Sequence, residues 1–495
     1  MKKTFYFLMS AALFCFNYVI GQGFPNVNVN NITEGTQNTD GGNTIAVFGS
    51  NVYLLWGDYG STFYSYISKS IDGGATFGEG VKVGGNDPHL FGSITVDDAG
   101  IIYAVWDGVE GENINGVYFA KSTDQAATFS SPLTISGSGV FPLVSVHGNN
   151  VYIFFCMMKD DNHVGYFFTR STDGGNTFAV PYEISGSSAS VTADDIVWDS
   201  PNSMCLDNDG NIYCIWNEGR RTGIGTDIYF AKSTDNGANF SAGVMVNDIL
   251  GSPDKRRTGP KVGVHGSNVY TVWRQEDDNQ GNNRKILYSK SSDGGATFGN
   301  EVEMASGGWG SPALTVNSTG ELYVAYPQYS GSQNGVFCSK SVDNGITFPV
   351  TVFINDQNAD SKNLSICVDA SNILYAAWTD NRTGDENICF AKGTINLTDI
   401  DENSNIIPDQ FELLQNYPNP FNPSTIITYK MPVSGNVSIK IYDMLGNEIV
   451  QLINEYKPAG IYEIKFNGND MPSGVYLCRF LSGHFSDVRK LMLIK

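Results

Sequence analysis

An eight-residue pattern, Ser-x-Asp-x-Gly-x-Thr-Phe, occurs six times in this chain with small departures: SIDGGATF from Ser70, STDQAATF from Ser122, STDGGNTF from Ser171, STDNGANF from Ser233, SSDGGATF from Ser291 and SVDNGITF from Ser341. Recurrence every roughly 50 to 60 residues is what a chain shows when it repeats one small unit of sheet around an axis. Each octet reads as a hairpin turn. The Asp carboxylate accepts hydrogen bonds from backbone N–H groups, Gly supplies positive φ, and Phe returns to the apolar interior. Asp72, Asp124, Asp173, Asp235, Asp293 and Asp343 are therefore expected to be structural.

The segments before the octets share a grammar. A short apolar strand (a) leads through a tight polar turn into a strand (b) with Tyr at a fixed place, then a variable loop, a strand such as VYFAKS (c), the octet and a last strand (d). The b strands are NVYLLW at 51, IIYAVW at 101, NVYIFF at 150, NIYCIW at 211, NVYTVW at 268, ELYVAY at 321 and ILYAAW at 373, seven units against six octets. The seventh unit keeps its c strand, NICFAKGT from Asn387, and lacks an octet; its fourth strand is to be supplied either by Val27 to Asn30 or by INLTDI from Ile395. Either donor removes an open sheet edge. Alternation puts Tyr53, Tyr103, Tyr152, Tyr213, Tyr270, Tyr323 and Tyr375 in equivalent places, so a packing role is expected for all of them. His147 and His265 share the same a-to-b turn and read as turn residues.

The octet resembles the Asp box, or BNR repeat, of sialidase-like β-propellers. In that family the box is a structural turn at the outer edge, away from the active site. The resemblance implies an all-β fold, a β-propeller with seven blades favoured and six as the alternative, since sialidases have six.

After Lys392 the pattern stops. FELLQNYPNPFNPSTIITYKMP, NVSIKIYDMLGNEIV, GIYEIKFNG and MPSGVYLCRF alternate between apolar and polar residues, with Pro, Gly and Asn turns, as expected of a small immunoglobulin-like β-sandwich. YPNPFNPST, the Tyr442-Asp443-x-x-Gly446 turn and Ser473-Gly474-Val475-Tyr476 resemble the type A C-terminal sorting domain of proteins exported by the type IX secretion system. That resemblance implies passage across the outer membrane, the secretion machinery as partner, and a cargo released or held at the cell surface. The expected organisation is a signal peptide over 1–21, a propeller over 22–398, a linker over 399–410 and the sorting domain over 411–495.

Composition agrees with export. A net charge of -21 opposes phosphate backbones and anionic membranes, so nucleic acid is not an expected partner. Met1 to Gly21 has the basic start and apolar run of a cleaved leader, and no later apolar run approaches the roughly 20 residues of a spanning helix. The seven remaining cysteines form no CxxC pair and read as buried thiols, with a Cys205–Cys214 bridge left open. In the linker, Asp401, Asn403, Asn405, Asp409 and Glu412 match positions of a calcium loop, but Ile406 stands where that loop needs Gly, so no metal or other cofactor is expected.

Chemistry is expected at the end opposite the octets, where b-to-c and d-to-a loops are long and dissimilar. Seven of the ten arginines fall in those segments: Arg220, Arg221, Arg256, Arg257, Arg274, Arg284 and Arg382. Guanidinium groups suit bidentate capture of a carboxylate or sulfate; the opposing reading pairs them with Glu218, Asp254, Glu276, Asp277, Asp380 and Asp385. Arg220, Arg256, Arg274, Arg382, Glu218, Trp198 and Trp309 are the ligand-binding candidates. Sialidases hold a carboxylate with three arginines, but their Phe-Arg-Ile-Pro or Tyr-Arg-Ile-Pro element has no match, and no arginine precedes Arg170. A Tyr nucleophile could stand at Tyr326 or Tyr329, although Tyr326 takes the Trp place of strand b and reads as core, and among the loop carboxylates Asp58, Asp107, Asp194, Asp195, Asp199, Glu218 and Glu276 no spacing selects a catalytic pair. The expectation is a surface module binding glycan or extracellular protein, with an exo-glycosidase of sialidase type and an adhesion scaffold as alternatives.

Overall fold

In a computed structural model of the chain, the residues described are 24–29, 37–38, 44–59, 63–84, 89–110, 113–160, 163–185, 202–219, 225–248, 255–277, 283–308, 310–330, 333–355, 358–382, 386–395, 411–416, 418–431, 435–457, 460–469, 471–483 and 485–495. They form two compact units, one reaching from Gln22 to Leu397 and one from Thr398 to Lys495. The expected leader over 1–21, the expected linker over 399–410 with nearly all of its calcium-like spacing, and Trp198, Trp309, Arg220 and Arg221 lie outside the described residues.

The first unit is a seven-bladed β-propeller. Seven antiparallel sheets follow one another, and their inner a strands are Ile45–Phe48, His89–Val96, Val140–His147, Asn202–Leu206, Arg256–His265, Ala313–Val316 and Ser361–Val368. Each inner strand packs against the next, and the last packs against the first, which closes the ring. The outer edges are short, two to five residues in blades 1 to 6, so little backbone is offered to a foreign strand. In blade 7 the outer strand is Asn26–Asn28, antiparallel to the c strand, with Val27 opposite Phe390. The N-terminal donor thus closes the ring, and Ile395 is buried in the core beside blade 7.

The seven b-strand tyrosines are all buried. Four also anchor their own a-to-b turn: Tyr103, Tyr213 and Tyr375 donate to Asp97, Asp207 and Asp369, and Tyr323 to Glu321. These belong to blades 2, 4, 6 and 7. Blades 1, 3 and 5 have two-residue turns instead, and Phe48, His147 and His265 lead into them. His147 and His265 lie against Gly210 and Gly320 of the following blade, where a Cβ would come within 2.5 Å of either ring. Both histidines are packing residues. The propeller therefore alternates two kinds of blade, and an odd total forces one junction between like kinds. That junction joins blades 6 and 7, where Asn317 Nδ2 donates to Asn372 Oδ1 at 2.7 Å.

The octets hold neighbouring blades together. Within one, Ser291 Oγ donates to Asp293 Oδ1, Gly295 N donates to Ser291 Oγ, and Thr297 bonds both carboxylate oxygens through its N and Oγ1. The closing Phe, half-buried in most octets and buried at Phe348, meets the c strand of the preceding blade edge-on: Phe77 on Phe390, Phe178 on Phe119, Phe240 on Phe168, Phe298 on Phe230 and Phe348 on Tyr288. A basic residue of that c strand reaches forward as well. Lys121 Nζ donates to Gly174 O, Arg170 to Asn236 O and Lys232 Nζ to Gly294 O.

Hydrogen bonds to Thr, Asn, Ser and backbone groups hold all six octet carboxyls below the ordinary value near 3.8, Asp124 at about 2, and at Asp343 they do so against the upward push of burial. A folded-state pKa below the unfolded one gives stability that is complete above the unfolded value and lost as pH falls through the folded one. Loss of this stabilisation is therefore expected to set in below about pH 4 and to continue below about pH 2. Asp124→Asn should flatten that acid limb, and circular dichroism along an acid titration would read it; an unchanged limb would remove the octets as its cause.

The second unit packs two sheets, Glu412–Leu413, Ser424–Met431 and Gly460–Asn467 against Glu448–Lys457, Gly435–Tyr442, Gly474–Ser482 and Phe485–Leu493. Leu413, Ile427, Tyr429, Ile439, Cys478, Phe480 and Leu491 fill the space between. The Pro-Asn segment latches the last strand: Phe421 N donates to Met492 O, Ile494 N to Phe421 O, and Asn419 Nδ2 to Lys490 O. All seven cysteines outside the leader are free thiols, Cys205 and Cys214 included.

Candidate binding face

Antiparallel order puts the a-to-b turns and octets at one end of each blade and the b-to-c and d-to-a connections at the other. Several residues expected in loops are strand residues at that second end. Arg256 and Arg257 open the inner strand of blade 5, Arg274 lies within its b strand, and Glu218 lies within the b strand of blade 4. The polar character that suggested loops comes from strands running on into the rim.

In blade 5, Arg256 is opposite Glu276 across the a–b ladder, and directly opposed residues share a face. Arg274 is two residues from Glu276 on the same strand and also shares that face. Arg274 Nε lies 3.3 Å and Arg284 Nε 3.1 Å from Glu276 Oε1. Two guanidinium groups thus contact one carboxylate, and a third arginine, Arg256, lies on the same strand face. Arg256 is half-buried and has no ion-pair partner among the described residues. Beside this cluster, on the b strand of blade 6, burial and the Asp360 charge push the Tyr329 phenol up to about 12, with Arg284 acting in the opposite sense.

Arg257 is fully buried and bridges blades, with NH1 bonding Thr226 O at 3.1 Å and Asp227 Oδ1 at 3.4 Å and Nε 3.8 Å from Glu301. Asp227 is opposite Glu218 in the b–c ladder of blade 4. Burial pushes the Glu218 carboxyl up to about 7; the charges of Asp227 and Glu183 push the same way, and the Trp216 indole, donating at 3.4 Å, opposes them. In blade 7 the same arrangement recurs as Trp378 donating to Asp380 at 2.9 Å. There Arg382 Nε bonds both Asp380 oxygens, and its NH2 donates to Asn26 Oδ1 at 3.0 Å. Arg382 thus ties the closing strand to blade 7. Tyr326 is buried in the core with its hydroxyl on Ser339 Oγ.

Arg256 and Arg274 share a strand face with Glu276, Arg382 sits in a different blade, and Glu218 has an acidic neighbourhood of its own. Arg284 and Asp227 carry more of the site than the sequence suggested. Strand alternation offered a signal for Arg274 and Glu276, but placing Arg284 opposite Glu276 needs the hairpin register.

Residues 415–495 match the family model described as secretion system C-terminal sorting domain. The second unit is a sorting domain. It directs the chain out of the cell by the type IX system, to the cell surface or the medium. No helix among the described residues is long and apolar enough to cross a membrane. No curated protein matches the chain. Among solved structures, an ulvan lyase of a new polysaccharide lyase family, bound to a saccharide of GlcA and Rha3S units, is 13% identical, with 77% of this chain and 98% of that one covered and a TM-score of 0.52. A Hadza microbial sialidase is 13% identical over 69% of this chain and 73% of its own, with a TM-score of 0.44. A Dyadobacter fermentans protein of unknown function is 15% identical over 62% and 95%, with a TM-score of 0.45. At such identity the ulvan lyase shows a shared fold and nothing of shared chemistry.

Proposed function

We propose that this chain is an Asp-box propeller, exported by its sorting domain after loss of a leader over 1–21, that binds an acidic saccharide at the rim of blade 5. The observation that supports this is that Arg274 and Arg284 both contact the Glu276 carboxylate, with Arg256 opposite Glu276 in the a–b ladder, in a protein of net charge -21. Guanidinium groups bind carboxylate and sulfate bidentately, which suits an acidic sugar. Tyr329 adds an aromatic face beside it.

A second reading, glycoside hydrolysis, is favoured by Glu218, whose carboxyl near 7 stays protonated far above the usual range and suits a general acid beside the Asp227 carboxylate. Titration calorimetry with a uronate- or sulfate-bearing polysaccharide, a neutral polysaccharide and Arg256→Ala tests the first reading. Binding of the acidic polymer alone, weakened about tenfold by the substitution (about 1.4 kcal/mol), is expected. Equal binding of the neutral polymer, or none of either, would overturn it. Release of reducing ends that rises as pH falls through 7 and is lost in Glu218→Gln would move the assignment to hydrolysis.

A further inference from the structure

The hairpin turn at Asp443 in the sorting domain is built like a turn in the propeller. Asp443 Oδ1 accepts from Leu445 N and Asn447 N, both at 2.9 Å, and Oδ2 from Asn447 Nδ2 at 2.8 Å. In blade 4, Asp207 Oδ1 accepts from Asp209 N at 3.0 Å and Asn211 N at 2.9 Å, and Oδ2 from Asn211 Nδ2 at 2.8 Å. In the Asp443 turn the second middle residue contributes its backbone N–H, and the side chains of both middle positions are exposed. The propeller fills them with Asp98-Ala99, Asn208-Asp209, Ser318-Thr319 and Ala370-Ser371. The sorting domain fills them with Met444 and Leu445, which are 64% and 88% exposed, and Ile449, 44% exposed, follows on the next strand. Turn geometry does not ask for this apolar pair, because the same geometry carries polar pairs elsewhere in the chain.

We infer that Met444 and Leu445 form an anchor that inserts into an apolar recess on the component of the secretion machinery that receives the sorting domain. The domain's one assigned task is to be read by that machinery, which makes it the occupant rather than a lipid or a second copy. The anchor is held rigid by the Asp443 bonds before it docks, so little conformational freedom is lost on binding. A few well-packed, desolvated side chains carry most of the binding at an interface, and Met is enriched in such contacts.

The test uses the full chain produced in a bacterium with a type IX system, with Met444→Asn and Leu445→Asp together copying the blade 4 turn. The exported fraction is expected to fall tenfold or more, approaching that of a chain lacking residues 415–495, while folded propeller accumulates in the periplasm with an unchanged melting temperature. Leu445→Ser alone, which keeps the turn bonds, should show an intermediate loss and guards against misfolding of the double variant. A photo-crosslinking residue at position 445 should join to a secretion component in cells. Export at the unsubstituted level from both variants would overturn the inference, as would crosslinks solely to lipid or to another copy of this chain. Undiminished export of the chain lacking 415–495 would overturn the sorting role itself.

Discussion

Gly295→Ala is expected to destabilise the propeller by about 2–4 kcal/mol, from overpacking together with a strained φ. The residue has φ +87°, and a Cβ there would stand 2.1 Å from Phe230 of the preceding blade. Neither the turn backbone nor the Phe230 ring, packed edge-on by Phe298, has room to retreat. The chain contains its own control. In blade 2 the same octet position is Ala126, buried at φ +68°, and the residue of blade 1 corresponding to Phe230 is Ile67, in the same buried cluster. Alanine in the turn is thus matched by a smaller side chain beneath it. Phe230→Ile should recover part of the loss when combined with Gly295→Ala, although each change alone is destabilising. Urea unfolding of the four proteins would give the coupling energy. A strictly additive pair would show that the interlock between octet and preceding blade does not limit stability.

Arg382→Ala is expected to cost about 3–5 kcal/mol, because it leaves the Asp380 carboxylate, fully buried, without its cation. The damage should concentrate at ring closure, since the same guanidinium holds Asn26 of the closing strand. Asn26→Ala, which removes one hydrogen bond and strands no charge, should cost only about 1 kcal/mol. Hydrogen exchange offers the sharper measurement: amides of Asn387–Gly393 paired with the closing strand should lose protection in Arg382→Ala before those of blades 2 to 5. Uniform loss around the ring would show that the pair supports the fold generally and not its seam.

The octets made the propeller legible because each encodes a complete local object: a turn, its carboxylate cap and the aromatic that leaves it. The count of seven followed from the b strands, whose Tyr recurs even where the octet does not, as in ILYAAW. What lies between blades was less legible. That His147 packs on Gly210, or that Lys232 reaches Gly294 O, depends on how consecutive sheets are stacked, and no local pattern carries that offset. The candidate site suffered for the same reason. Arg256, Glu276 and Arg284 are far apart along the chain and align only once the a–b and b–c registers of blade 5 are fixed. Arg382 looked like a ligand-binding residue because exposed-looking Asn-Arg-Thr-Gly surrounds it, whereas it pairs with Asp380, as the opposing reading had it, and also holds Asn26 of a strand more than three hundred residues earlier. The seven-blade closure made that partner possible, and closure is a property of the whole chain.

The pairing of Asn26–Asn28 with Asn387–Gly393 also sets the order of events in folding. The first strand of the propeller to leave the ribosome has no place to go until nearly every other strand of the ring exists. Closing a loop of that length carries a large entropic cost before any contact rewards it, so the final step is slow relative to the hairpins that precede it. Until it occurs, blade 7 presents the c-strand edge that the closing segment will cover, the kind of edge on which chains aggregate. Once closed, opening requires that one strand be peeled off first. Resistance to unfolding outside the cell, where nothing refolds the protein, is then governed by how fast a single three-residue strand lets go.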